Sequence, residues 1–299
     1  MEAQIPEGDI VTSDIEGMMK AAPLSRREFM TAAAATAAGY MLAAGPVRAD
    51  VIKTDAVGLT VGDAKIAVSG GEMPVYFARP EGVSNPPVIL VAMEVFGVHE
   101  YIKDVVRRLA KLGAFAVAPD YYFRKGVDLT KITDFKELMP IVNAKPDAEL
   151  VADLDATVAW PRSQGGDTSR LGMIGFCRGG RSVWIYAAHS GALKAGVAFY
   201  GSLVDPQNPV WPKSPIQLAP EMKAPVLGLY GEADQGIPVS QVEEMKAALK
   251  AADKTAEIKI YPGAPHGFHA DYRPSYSKEA AEDAWKRMID WFKTYKVLS

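Results

Sequence analysis

The sequence predicts an α/β fold, a doubly wound and mainly parallel sheet with helices on both faces. Three observations predict it. From residue 64 onward, apolar runs of strand length alternate with amphipathic runs of helix length. The later strand-like runs are apolar throughout, as strands buried on both faces of a parallel sheet must be. The 26 glycines and 21 prolines supply the many tight turns such a winding needs. At 299 residues the chain is long enough for one large domain of this kind.

The first 49 residues read as an address rather than as part of the fold. Ser25-Arg26-Arg27-Glu28-Phe29-Met30 precedes an alanine-rich apolar stretch, Thr31 to Gly45, and Val47-Arg48-Ala49 follows before Asp50. Paired arginines, a short apolar run and a small-residue cleavage site occur in that order, which resembles a twin-arginine export signal. The implied partner is the export machinery, through residues 25–49, and the implied location is periplasmic or secreted. About 15 weakly apolar residues fall short of the roughly 20 needed to span a bilayer, so no stable membrane insertion is expected.

In the remaining domain, residues 50–299, strand-like runs cover Ala64–Val68, Pro74–Ala78, Pro87–Met93, Ala114–Ala118, Gly172–Phe176, Ala195–Tyr200, Pro225–Tyr230 and Glu257–Tyr261. The first two read as a hairpin turning at Ser69-Gly70-Gly71. Helical stripes lie between the others. Ile102, Val105, Val106, Leu109 and Leu112 form one, and Leu150, Val151, Leu154 and Val158 another. Val239–Ala251 and Lys278–Phe292 follow, the last with Trp285, Met288, Ile289 and Phe292 on one face. Asp120–Lys145 is a longer connection, read as a cap or lid.

Composition excludes several classes. With 48% hydrophobic and 23% charged residues the chain is neither disordered nor a multi-span membrane protein. A net charge of −3 gives no global case for nucleic acid. A single cysteine excludes an intrachain disulfide and a multi-cysteine metal site.

That cysteine sits in the most informative segment, Leu171-Gly172-Met173-Ile174-Gly175-Phe176-Cys177-Arg178-Gly179-Gly180-Arg181. A buried strand runs into G-x-C-x-G-G and a helical pattern follows, which is the geometry of a nucleophile elbow with cysteine in the serine position. Gly175 and Gly179 are needed where side chains would clash in the close approach of strand to helix. The bend places Cys177 at a helix N-terminus, where a thiolate is favoured, and lifts its side chain into reach. Elbow triads run nucleophile, acid, histidine along the chain. After Cys177, Asp234 lies at the C-terminal end of the strand Pro225–Tyr230, with Glu232 as the competing carboxylate. His266 follows in the Gly/Pro-rich loop Tyr261-Pro262-Gly263-Ala264-Pro265-His266-Gly267-Phe268. Of the other histidines, His99 reads as a helix cap and His189 as a complement to a helix C-terminus.

Together Gly175–Gly180, Asp234 and His266-Gly267-Phe268 resemble the dienelactone hydrolase family, within the α/β-hydrolase fold. Met93-Glu94-Val95-Phe96-Gly97 is similar to that family's glutamate-bearing loop, and Pro119-Asp120-Tyr121-Tyr122-Phe123-Arg124 to its Pro-Asp-x-Tyr-x-Arg segment. The resemblance covers residues 60–295. It implies a hydrolase of small lactones or esters in which Cys177, His266 and Asp234 form the triad and a thioester is the intermediate. It further implies that Glu94 helps deprotonate the thiol, that the Val95 and Arg178 backbone N–H groups form the oxyanion hole, and that Arg124 binds a substrate carboxylate. The family's second carboxylate-binding arginine follows the histidine. Here His269 holds that place, with Arg273 four residues on as the alternative. The partner implied is a small-molecule lactone or ester, with no metal and no organic cofactor. Other readings are a general carboxylesterase or acyl-transfer enzyme on this scaffold, a non-catalytic exported binding protein, and a redox-sensing thiol protein; the last lacks a resolving cysteine.

Overall fold

The computed structural model describes residues 51–205 and 209–299, so the export signal expected over residues 1–49 lies outside it. Eight strands form one sheet in the order β1-β2-β4-β3-β5-β6-β7-β8: β1 (Leu59–Val68), β2 (Gly71–Pro80), β3 (Pro87–Ala92), β4 (Phe115–Pro119), β5 (Asp167–Phe176), β6 (Leu193–Phe199), β7 (Val226–Gly231) and β8 (Ala256–Tyr261). β1 and β2 pair antiparallel around the expected turn, with Val68 opposite Gly71 and Gly70 in the left-handed region at φ 84°. β2 also meets β4 antiparallel, and every pairing from β4 through β8 is parallel. β3 and β7 are buried along their whole length, as their unbroken apolar sequences require.

Helices cover both faces. α1 (Glu100–Lys111) begins with an acidic residue and ends with Arg108 and Lys111, a charge order that suits the helix dipole. It shares a face with the C-terminal α7 (Lys278–Thr294), where Arg108 lies over the Trp285 ring at 5.9 Å. The opposite face carries α3 (Asp147–Ser163) and α4 (Arg178–His189). Alternation along β4 separates the two: Phe115 and Val117 join the cluster against Ala156 and Trp160 of α3, while Ala116 and Ala118 face the main core. A short α5 (Pro215–Leu218) and α6 (Val239–Ala251) complete the set.

Two details differ from the sequence pattern. Leu112 is 39% exposed, because the helix ends one residue before it. The 120–145 connection is a packed layer with its own helix, α2 (Phe135–Asn143), whose Leu138, Met139 and Val142 are buried. Asp134 caps that helix by accepting from the Lys136 N–H at 2.9 Å. Pro140 inside it breaks the helical pattern in sequence without ending the helix. Among the described residues no helix is long and apolar enough to cross a membrane.

Candidate active site

β5 delivers Cys177 at the C-terminal edge of the sheet centre. Its backbone sits at φ 55°, ψ −118°, a conformation that a non-glycine residue adopts only at a cost of order 1–3 kcal/mol. Two backbone bonds hold the bend: Cys177 N–H donates to Phe199 O at 3.0 Å, and Arg181 N–H to Cys177 O at 3.2 Å. The flanking glycines permit the approach. A Cβ on Gly175 would stand 2.1 Å from Gly179 O, and one on Gly179 would stand 2.1 Å from Ala92 O. The second distance matters for the site, because it presses the end of β3 against the elbow. Glu94 and Val95 follow directly from that strand end and are brought to the same edge as Cys177. Arg178 is the first residue of α4, so its amide belongs to the helix N-terminus, where N–H groups favour an arriving negative charge.

Asp234 and His266 meet as the motif order requires. β7 ends at Gly231, and Asp234 follows in the turn, 2% exposed. Its Oδ1 accepts from the N–H groups of Gly236 (2.9 Å) and Ile237 (3.1 Å), and its Oδ2 accepts from His266 Nδ1 at 2.8 Å. That bond places the proton on Nδ1 and leaves Nε2 as the basic nitrogen. Burial alone would push His266 down, but the Asp234 carboxylate and the nearby Cys177 outweigh it and hold the imidazole well above its ordinary range. Nε2 itself is buried with no hydrogen-bond partner among the described residues. Cys177 is close enough to the ring to favour its charged form. Glu232 is spent on turn structure, accepting from Gly263 N–H at 3.0 Å.

Glu94 is fully buried and sits in a polar cluster that sequence reading only partly foresaw. Its Oε2 accepts from Tyr272 OH at 2.8 Å and His99 Nε2 at 3.2 Å, with Arg273 Nη2 at 3.5 Å. Burial would raise its pKa, but Arg273, His99 and Tyr272 prevail and lower it to about 2. Arg273 lies over the Phe96 ring at 4.5 Å, and Cys177 is among the groups that favour its charge. His99 occupies the N-cap position of α1 as expected, yet its side chain makes no cap bond and binds Glu94 instead. Its position five residues beyond Glu94, on one loop, was the sequence signal available for it. Tyr200 is the other unforeseen member. It ends β6 at φ 38°, packs 5.0 Å from the His266 ring, and has a buried hydroxyl without a partner among the described residues.

Three expectations change. Arg124 does not face this cluster. Its guanidinium is bidentate to Asp153 (2.8 and 2.7 Å), reaches Glu149 and donates to Ser69 O, so it ties the β1–β2 turn to α3 and has its donors engaged there. His269 is a core histidine: Nδ1 is 2.6 Å from Tyr101 OH, its ring stacks on Trp285 at 5.7 Å, and burial followed by the Arg108 charge lowers it to about 3. Of the two candidates after the histidine, Arg273 is therefore the one beside the thiol. Finally, the elbow would lead one to expect an exposed sulfur, but Cys177 is only 2% exposed. The residues packed round the bend enclose it. His189, at the end of α4, pairs with Asp155 at 3.0 Å.

The sequence profile of the dienelactone hydrolase family matches residues 73–296. The chain belongs to that family. A relative from Methylorubrum extorquens, provisionally named carboxymethylenebutenolidase, is 50% identical over 288 residues, covering 95% of this chain and 98% of its own length. One of the same provisional name from Escherichia coli (strain K12) is 46% identical over 259 residues, covering 86% and 95%. The crystal structure of a provisionally named dienelactone hydrolase from Klebsiella pneumoniae superposes with a TM-score of 0.77 at 47% identity, covering 79% of this chain and 98% of its own. The doubly wound sheet is accordingly the α/β-hydrolase fold, and this member of the dienelactone hydrolase family is a hydrolase of the carboxylic-ester class.

Proposed function

We propose that this chain hydrolyses small lactones or esters, preferentially ones bearing a carboxylate, through a thioester on Cys177. The observation that carries the reading is the Asp234–His266 pair, whose free nitrogen lies near the one thiol in the chain, on a strained strand-to-helix bend. The Cys177 proton passes to His266 Nε2, or to Glu94 once that carboxylate is released. The sulfur bonds to the acyl carbon and the carbonyl π pair moves to oxygen, facing the Val95 and Arg178 amides. Collapse breaks the acyl–oxygen bond, and the leaving alkoxide takes that proton back from whichever of His266 and Glu94 holds it. Water, deprotonated by the same imidazole, then cleaves the thioester and frees the thiolate. Arg273 is the anchor for a substrate carboxylate. A carboxylate arriving there competes with Glu94 for one guanidinium, which loosens Glu94 at the moment the thiol must ionise.

Intact-mass spectrometry during turnover of p-nitrophenyl acetate tests this. The expected result is one added acetyl group per chain, lost on Cys177→Ala. Acetylation elsewhere, or none with full turnover, defeats the covalent route. The export assignment belongs to the same proposal. With Arg26→Lys/Arg27→Lys the protein is expected to stay in the cytoplasm, and unaltered export in a fractionation assay contradicts it.

A further inference from the structure

Three donors converge on one oxygen of Glu94 and none on the other. His99 Nε2, Tyr272 OH and Arg273 Nη2 all address Oε2, whereas Oε1 is buried with no hydrogen-bond partner among the described residues. An unmet buried acceptor costs free energy, so an orphaned Oε1 beside three donors calls for a use. The carboxylate is tethered through a single oxygen, and the other is left able to take a proton.

The tethers are not equivalent. Arg273 and Tyr272 stand together on the loop that carries His266, and Arg273 Nε donates to Tyr272 OH at 2.8 Å, so whatever draws on the guanidinium disturbs both. His99 lies on Glu94's own loop. Its ring is clamped by Tyr101 (centroids 6.0 Å, stacked), Tyr272 (5.1 Å, edge-on) and Phe96 (6.3 Å, edge-on), and only 17% of its side chain is exposed. A substrate carboxylate drawn to Arg273 has no such claim on this imidazole.

We propose that His99 is a positioning residue for Glu94, the tether that persists when Arg273 lets go, and that it thereby sets the preference for carboxylate-bearing over neutral substrates. The inference rests on the reading of Glu94 as a base for Cys177. With His99 in place, a neutral ester leaves all three tethers intact, and only an acid substrate weakens the hold. Without His99 the carboxylate is looser for every substrate, and neutral esters gain more.

The test compares wild type, His99→Ala, His99→Gln and Glu94→Gln. Two readouts are used: the rate of Cys177 alkylation by iodoacetamide, and kcat/KM for p-nitrophenyl acetate against mono-p-nitrophenyl succinate. His99→Ala is expected to alkylate roughly three- to tenfold faster, the scale of one ordinary net hydrogen bond, and to narrow the succinate preference by a similar factor. His99→Gln, which keeps an N–H donor, should return both towards wild type. If His99→Ala does not fold, by near-ultraviolet circular dichroism, His99→Asn replaces it, its amide being too short to reach Glu94. Alkylation and preference unchanged in the tether-less variant, with Glu94→Gln slowed, overturn the role of His99 and leave Glu94 as a base. Wild-type alkylation in Glu94→Gln removes the base itself, and the inference falls with it.

Discussion

Cys177→Ala is expected to lower kcat for every ester and lactone by at least about 10⁴-fold, the scale on which nucleophile loss leaves only binding and oxyanion stabilisation. The fold should be nearly untouched. Alanine inherits the same left-handed backbone strain as cysteine at φ 55°, and the side chain removed is a single sulfur in a buried spot. The Tm is expected to fall by no more than about 4 °C, on the usual relation of small packing losses to Tm in a domain of this size. Cys177→Ser should also lose most activity. A serine hydroxyl gives up its proton far less readily than a thiol, and the Glu94 carboxylate, held near 2, is too weak a base to help take it. Activity within tenfold of wild type in the alanine variant, measured with a lactone panel and p-nitrophenyl acetate, would remove Cys177 from the reaction.

Asp234→Asn is the second large effect, expected near 10³- to 10⁴-fold in kcat with little change in KM. The carboxylate does two things at once. It fixes the proton on Nδ1 through the 2.8 Å bond, and it raises the affinity of the ring for a second proton. An asparagine oriented by the Gly236 and Ile237 amides turns its oxygen to them and its NH₂ to His266, which favours the wrong tautomer. The sign of the pH effect follows. With aspartate, imidazolium is favoured. With asparagine the ring loses that support and its pKa drops, and the thiol loses its cationic neighbour. The pH profile of Cys177 alkylation should then shift to higher pH in Asp234→Asn. A shift to lower pH would mean that the imidazole is not the partner of the thiol.

The fold, and the meeting of Asp234 with His266, were legible in the sequence because both are written in local patterns. Apolar runs of strand length mark β3, β5, β6 and β7, and the glycines of the elbow are required by backbone contacts, so residue type alone exposes them. Asp234 could be preferred to Glu232 for the same local reason. What could not be read was the direction of long side chains. Arg124 lies in a family-like segment, yet its use is decided by Asp153, 29 residues away on another helix. His269 follows His266 closely, but the turn that aims His266 at Asp234 sends His269 among Phe176, Phe199 and Trp285. The helix α2 was hidden by its own proline, and the Glu94 cluster by its assembly from two loops 178 residues apart.

At 2% exposure the Cys177 sulfur offers too little surface for the tip of another polypeptide to approach along the line that disulfide exchange needs. A lone thiol in a compartment rich in disulfide-forming partners is ordinarily a hazard for cross-linking. Once exported as proposed, the chain would carry a thiol that its own packing shields from such partners.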